Sequence, residues 1–205
     1  MIRTYLQELA TQRWDDHRYY HQSRINQTLH FLSAIGFLVA YAWLFIDPPV
    51  AALIGWGWSM VTRQSGHFFF EPQGFDEVNQ VSNDYKEQIK VGYNLSRKVV
   101  LLSIWAGIPL LLWLWPGLGG WLPKAADAAG FWHQVGWAWL VLGAGGLLFR
   151  TTHLVLLKGP LAAVAWMSKI LTDPFNDICL YWRSPAALLR GEQIDPMHHV
   201  HGARA

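Results

Sequence analysis

Two short polar stretches hold the side chains of this chain most suited to chemistry. One is Tyr19-Tyr20-His21-Gln22-Ser23-Arg24-Ile25-Asn26-Gln27-Thr28-Leu29-His30, and the other is Gln64-Ser65-Gly66-His67-Phe68-Phe69-Phe70-Glu71. Each borders one of two consecutive apolar segments. Imidazole and carboxylate groups ligate divalent iron or zinc well, and beside a bilayer they are costly enough to mark function. Their grouping at what should be one membrane face points to a metal site built from His21, His30 and His67, with Glu71 close by.

Spacing adds detail. His67 and Glu71 are four apart and share a helix face, as do His17 and His21, and Asn26 and His30. His21 and His30 are nine apart, which on an unbroken helix turns them to opposite faces. A shared metal therefore requires a bend between residues 22 and 26, with a new helix capped by Ser23 or Asn26. His153, after Thr151-Thr152, is a further candidate ligand or substrate contact. The bland alternative is a set of interfacial histidines that cap helices and bond headgroups. His133 is expected to be structural, and the His198-His199-Val200-His201 tract is expected to lie in a disordered tail.

The elements that must position these residues are apolar. Hydrophobic residues make up 52% of the 205, and charged residues 15%, against about 25% in soluble domains. Thirteen tryptophans suit aromatic belts at membrane interfaces. The expected fold is all-α: one integral membrane helical bundle of about four transmembrane helices plus interfacial or re-entrant helices. The spans are placed at about 27–46, 50–67, 99–115 and 135–149, with the second helix continuing toward Glu71. An extramembrane segment fills 72–98, an interfacial one 154–171, and a polar tail 172–205.

Lys and Arg concentrate before the first span, between the second and third, and after the fourth. Asp47-Pro48-Pro49 has none, and the loop 116–134 has only Lys124. Four spans with both termini cytoplasmic satisfy the positive-inside rule at every loop, in a bacterial inner membrane or an endoplasmic reticulum. His21, His30, His67, Glu71 and His153 then fall on one side. No apolar h-region accompanies Arg3, Arg13, Arg18 and Arg24, so a signal peptide is not expected. A net charge of +2 without a basic stripe argues against nucleic acid as a partner. The single Cys179 excludes an intrachain disulfide and a multi-cysteine metal site.

The two polar stretches resemble the 2-hydroxy fatty acid dioxygenase family typified by the fungal endoplasmic-reticulum enzyme of phytosphingosine breakdown. That family has a Tyr-His element, an Asn five residues after the His and a second His four beyond, as in Tyr20-His21, Asn26 and His30. After a helical hairpin it has Gly-His followed by Phe-Glu, as in Gly66-His67 and Phe70-Glu71. The resemblance covers about residues 14–71. It implies an integral membrane enzyme that uses Fe(II) and molecular oxygen to shorten a long-chain 2-hydroxy fatty acid, or a related lipid, by one carbon. It further implies His21, His30 and His67 as metal-site residues, with Glu71 and Asn26 as ligands or supporting groups. The chain departs from the family pattern in having no proline between His21 and Asn26 and no Arg-Pro element after Glu71. Arg63, Arg18 or Lys98 could neutralise a substrate carboxylate.

Two other function classes compete. A di-iron lipid hydroxylase or desaturase needs repeated HxxxH and HxxHH elements, which are sparse here. A non-enzymatic scaffold or small transporter would tolerate loss of the three histidines, and no span has a charge at its centre to serve ion transport.

Overall fold

A computed structural model describes residues 2–91 and 95–197, leaving aside the side chains of 95–97, and it is all-helical. The expected histidine tract at 198–201 lies outside the described residues. Helix α1 (Ile2–Tyr20) ends at a corner, and α2 (Arg24–Trp43) follows. A helical run then passes through α3 (Pro48–Leu53), a π-helical segment (Ile54–Met60) and α4 (Val61–Phe69). Helix α5 (Asn83–Ile89) lies in the polar segment. Then come α6 (Leu95–Leu114), a 3₁₀ turn (Pro116–Gly120), α7 (Ala128–Lys158), α8 (Pro160–Tyr181) and α9 (Ser184–Leu189).

The corner forms where the histidine spacing requires it. Helical structure stops at Tyr20 and resumes at Arg24, with Ser23 in extended conformation and its hydroxyl accepting from the Asn26 N–H. The new helix thus starts two residues before Asn26, because Ser23 rather than Asn26 takes the capping position. The Asn26 side chain is then free to donate to the Tyr20 carbonyl (2.8 Å) and tie the two helix ends together.

Helix α2 forms an antiparallel hairpin with the 48–69 run. Asp47 caps the return, accepting from the Val50 N–H, and two prolines fill the first turn where no amide donor is needed. The π-helical turns widen the run opposite α2, and Ser33 donates to the Ser59 carbonyl at 2.7 Å. Such π segments frequently sit at functional sites. The run ends at Phe69, so Glu71 lies just past the helix rather than on it.

The aromatic core sits between α3, the π segment, α6 and α7, around Trp56, Leu112, Val135 and Trp139, with Trp105 stacked against Trp56. Gly136 permits the close crossing of α3 and α7, since a Cβ there would lie 2.4 Å from the Pro49 carbonyl oxygen.

Two helices, α2 and α7, are long and apolar enough to cross a membrane, and the apolar stretch of α6 is shorter, Lys98–Leu114. Only 11% of the most apolar window of α7 is buried within the protein.

The C-terminal third differs from expectation. Residues 154–158 complete α7, and Gly159, at φ 87°, makes the break that a residue with a Cβ would strain. Residues 160–171 are the first half of one helix that runs on through the expected polar tail to Tyr181. Lys158, Gly159 and Lys169 make the stretch look interrupted in sequence. In the fold Lys169 is buried among carboxylates and Gly159 is a joint between two helices. Residues 190–197 also fold back: Arg24 N–H donates to the Gln193 carbonyl and Asp195 N–H to the Gln22 carbonyl.

Candidate metal centre

His21 stands on the corner, His30 two turns into α2, and His67 at the end of α4. The hairpin returns α4 alongside the start of α2, and these three form the one group of potential ligands among the described residues, their ligand atoms all within 4.8 Å of one another. The ring centroids of His21 and His67 are 5.1 Å apart, those of His30 and His67 4.8 Å. His21 and His30 are fully buried at 2% and 0% exposure.

The closest approach decides what the group can do. His21 Nε2 and His30 Nε2 lie 3.1 Å apart. Two nitrogens each about 2.1 Å from one metal are about 3.0 Å apart at a right angle and about 3.4 Å apart at the tetrahedral angle. The observed spacing therefore fits a shared ion, and a direct N–H···N bond is the other arrangement of similar length. Burial, and then the neighbouring His30, push the His21 imidazole well below its ordinary value, which favours the uncharged form that binds metal.

Two of the rings face a carboxylate from behind. His67 Nδ1 is 2.6 Å from Glu71 Oε2, and the other Glu71 oxygen accepts from Lys90 Nζ at 3.2 Å. Burial raises the Glu71 carboxyl above its usual range, with Lys90 opposing. His30 Nδ1 faces Asp177 Oδ2 at 3.5 Å, and Asp177 is ion-paired with Arg63. His21 is fixed through its backbone: Gln27 Nε2 donates to the His21 carbonyl at 2.7 Å and to Asp195 Oδ2 at 3.0 Å, while Ser184 Oγ donates to Gln27 Oε1 at 2.7 Å. Asn26 binds Tyr20 and faces Gly66, where a Cβ would lie 2.2 Å from Asn26 Oδ1. Glu71 thus stands behind His67 and outside the group of convergent His, Cys, Asp and Glu atoms, and Asn26 ties the two helix ends at the corner.

The polar segment forms a roof. Tyr20 OH donates to the Lys86 carbonyl at 2.6 Å, Lys86 Nζ to the Pro72 carbonyl at 3.0 Å, and Gln22 Nε2 to Asp76 Oδ2 at 2.9 Å. Helix α8 supplies the opposite wall, with Lys169, Asp173, Asp177 and Tyr181 all buried. These four recur every fourth residue and so share one helix face. That ladder is the signal in the sequence that marks α8 as part of the site. Tyr181 is 5.8 Å from His21 and 6.2 Å from His30 by ring centroid, and its hydroxyl is 3.0 Å from His17 Nδ1.

His153 lies elsewhere: its Nδ1 is 3.0 Å from Arg150 Nη1 on α7, and Arg150 also donates to the Val91 carbonyl. His133 pairs with Asp47 at 3.3 Å, joining α7 to the α2–α3 turn.

A cavity of about 550 Å³ opens beside His67. Its lining is largely apolar, with Leu44, Ala52, Trp56, Leu140 and Gly143, and includes Lys90, Lys98, Lys169 and Arg63 with Asp15 and Asp16. Most of these charges are already matched. Arg63 meets Asp177, Lys169 meets Asp16 and Asp173, and Lys90 meets Glu71 and Glu87. Arg18, outside the lining, pairs with Asp15 at 2.6 Å. Among the described residues, Lys98 is the cavity's cation without an ion-pair partner.

No protein-family model, no curated protein and no solved structure matches this chain.

Proposed function

We propose that the protein is an integral membrane metalloenzyme of lipid oxidation, binding iron(II) through His21, His30 and His67. Its reaction is the oxygen-dependent shortening of a long-chain 2-hydroxy fatty acid, or a related 2-hydroxy lipid, by one carbon. The observation that carries this reading is the meeting of three imidazoles from two separate stretches, His21 and His30 fully buried and His67 half-buried where it lines a largely apolar cavity. A buried neutral histidine cluster suits a divalent cation, and the cavity suits a ligand with a polar head and a long tail. The resemblance of the two stretches to the dioxygenase family supplies the reaction type.

Bound iron would supply sites for oxygen and for chelation by the substrate's hydroxyl and carboxylate. The chain's own residues do the rest. Glu71 orients the His67 ring. Lys98 draws the substrate carboxylate toward the centre, since it is not neutralised within the cavity wall. Leu44, Ala52, Trp56 and Leu140 hold the tail away from water. The atoms balance for RCH(OH)COOH plus O₂ going to RCOOH, CO₂ and water, in which the carboxyl carbon leaves and oxygen is the oxidant.

Four spans, α2, the 48–69 run, α6 and α7, with both termini cytoplasmic, put the site at the cytoplasmic interface. The outward-facing apolar surface of α7, including Leu148, Phe149 and Leu156, supports lipid around it. The deciding experiment uses detergent-purified protein. Metal analysis should find about one iron or zinc per chain, and the iron-loaded protein should consume oxygen with at least one of a panel of 2-hydroxy acids. Bound iron with no oxygen uptake at any chain length would defeat the dioxygenase reading; no bound metal would favour a scaffold.

A further inference from the structure

We infer that Asp177 of α8 is a positioning residue of the metal centre, orienting His30 through its Nδ1, with Arg63 holding the carboxylate. The inference rests on the metal-site reading above and adds a residue from outside both histidine stretches.

The observation is an arrangement that occurs twice. His67 Nδ1 meets Glu71, and Glu71 meets Lys90. His30 Nδ1 faces Asp177, and Asp177 meets Arg63. Each is an order of imidazole, carboxylate and cation, assembled from different parts of the chain. In the His30 case the ring places its other nitrogen, Nε2, toward His21 Nε2 at 3.1 Å. The Nδ1 edge is thus turned to a carboxylate and the Nε2 edge to the centre. His21 lacks such a partner: its Nδ1 meets no acceptor among the described residues, and its backbone is held instead.

A general structural role accounts poorly for Asp177. The adjacent Asp173 already receives Lys169 at 2.8 Å, and Arg63 is 4.0 Å from Asp173 as well. A second buried carboxylate on the same face adds desolvation cost, and buried ion pairs are weak stabilisers by themselves. A carboxylate facing a ligand's free ring nitrogen has a specific use. It keeps the proton on Nδ1 and the lone pair on Nε2, and it raises the ring's basicity. At 3.5 Å the contact is beyond a normal N–H···O bond, so His30 Nδ1 has no hydrogen-bond partner among the described residues, and Asp177 is the carboxylate it faces. Contacts of this kind commonly tighten when a site is occupied.

Two measurements test this. The first is the tautomer of His30 in the metal-free wild-type protein in detergent, read from ring ¹⁵N shifts and assigned with His30→Gln. A proton on Nδ1 is expected; a proton on Nε2 overturns the inference. The second is zinc affinity by chelator competition. Asp177→Asn should bind zinc about 10–100-fold more weakly, Asp177→Glu should recover part of the loss, and His133→Ala should match wild type. Wild-type zinc affinity in Asp177→Asn overturns the inference, as does a lowered melting temperature with unchanged affinity. Failure of the wild-type protein to bind zinc or iron would instead defeat the metal-site reading. The tautomer is read in the wild-type protein without metal, so it does not depend on the Asp177 variants folding.

Discussion

The three histidines differ in how they are held, and that difference should appear in their variants. His30 and His67 each have a carboxylate behind Nδ1, whereas His21 depends on the corner around it. Replacing any one with alanine should abolish most metal binding, measured by metal content after dialysis, because three donors leave none to spare. His153→Ala should retain metal, since that ring lies against Arg150. Glu71→Gln should weaken binding about 10–100-fold without abolishing it, as expected of a group that orients a ligand. Lys98 belongs to a different step. Lys98→Met should leave metal content unchanged while raising KM for a 2-hydroxy acid, because it removes the cavity cation that has no carboxylate of its own. Equal KM values in the two proteins would remove Lys98 from the head-binding role.

Between elements, the most consequential feature is the corner at residues 21–23. It is readable in the sequence because two histidines nine apart cannot face one ion on a straight helix, and Ser23 is a good cap. The return of α4 is readable too, through His67 and the turn at Asp47-Pro48-Pro49. The role of α8 is harder to read. Its contribution comes from side chains more than a hundred residues beyond the first stretch, and charges at Lys169, Asp173 and Asp177 look like a solvated tail until a fold pairs them. They also look unlike a span, and only the fourfold spacing betrays a single buried face. Tyr181 continues that spacing by one more rung, but carries no charge to draw attention to it.

Two substitutions test these element contacts. Gly66→Ala would drive a Cβ to 2.2 Å from Asn26 Oδ1, forcing α4 away from the corner. A loss of about 1–3 kcal/mol in stability is expected, with metal affinity falling alongside because His67 moves with the helix. Asp16 binds α1 to α8 through Lys169 at 3.0 Å. Burial alone would raise its carboxyl, but Lys169, by its charge and its hydrogen bond, holds it below the ordinary 3.8. The unfolded chain then takes up the proton first as pH falls, so the stabilisation is present above 3.8 and is lost progressively below it. Asp16→Asn should lower the melting temperature at neutral pH, and the gap from wild type should narrow only below about pH 4.

For the whole molecule, the charge pattern and the cavity belong to one arrangement. The ends of the helices that carry the histidines are also the ends joined by Lys- and Arg-rich segments, as the Arg150 bond to Val91 and the roof over Tyr20 illustrate. The opposite end is closed by Asp47 with His133 and by the tight α3–α7 crossing. A reporter fused after Ala205 should therefore read as cytoplasmic, and an exoplasmic reading would overturn the four-span topology. On the proposed function the apolar lining holds the substrate's tail, which would make tail length a property of the bundle rather than of the metal centre. Gly143 of α7 tests this. It lines the cavity, and a Cβ there would stand 3.1 Å from the indole Nε1 of Trp56, so a larger side chain must take up cavity space or shift that ring. Gly143→Leu should leave metal content as in wild type, because the substitution lies among the apolar lining residues. It should also shift the chain-length preference for 2-hydroxy acids toward shorter tails, read as KM across a homologous series. A uniform loss at every length would mean that Gly143 serves helix packing alone, and an unchanged profile would mean that the tail lies elsewhere.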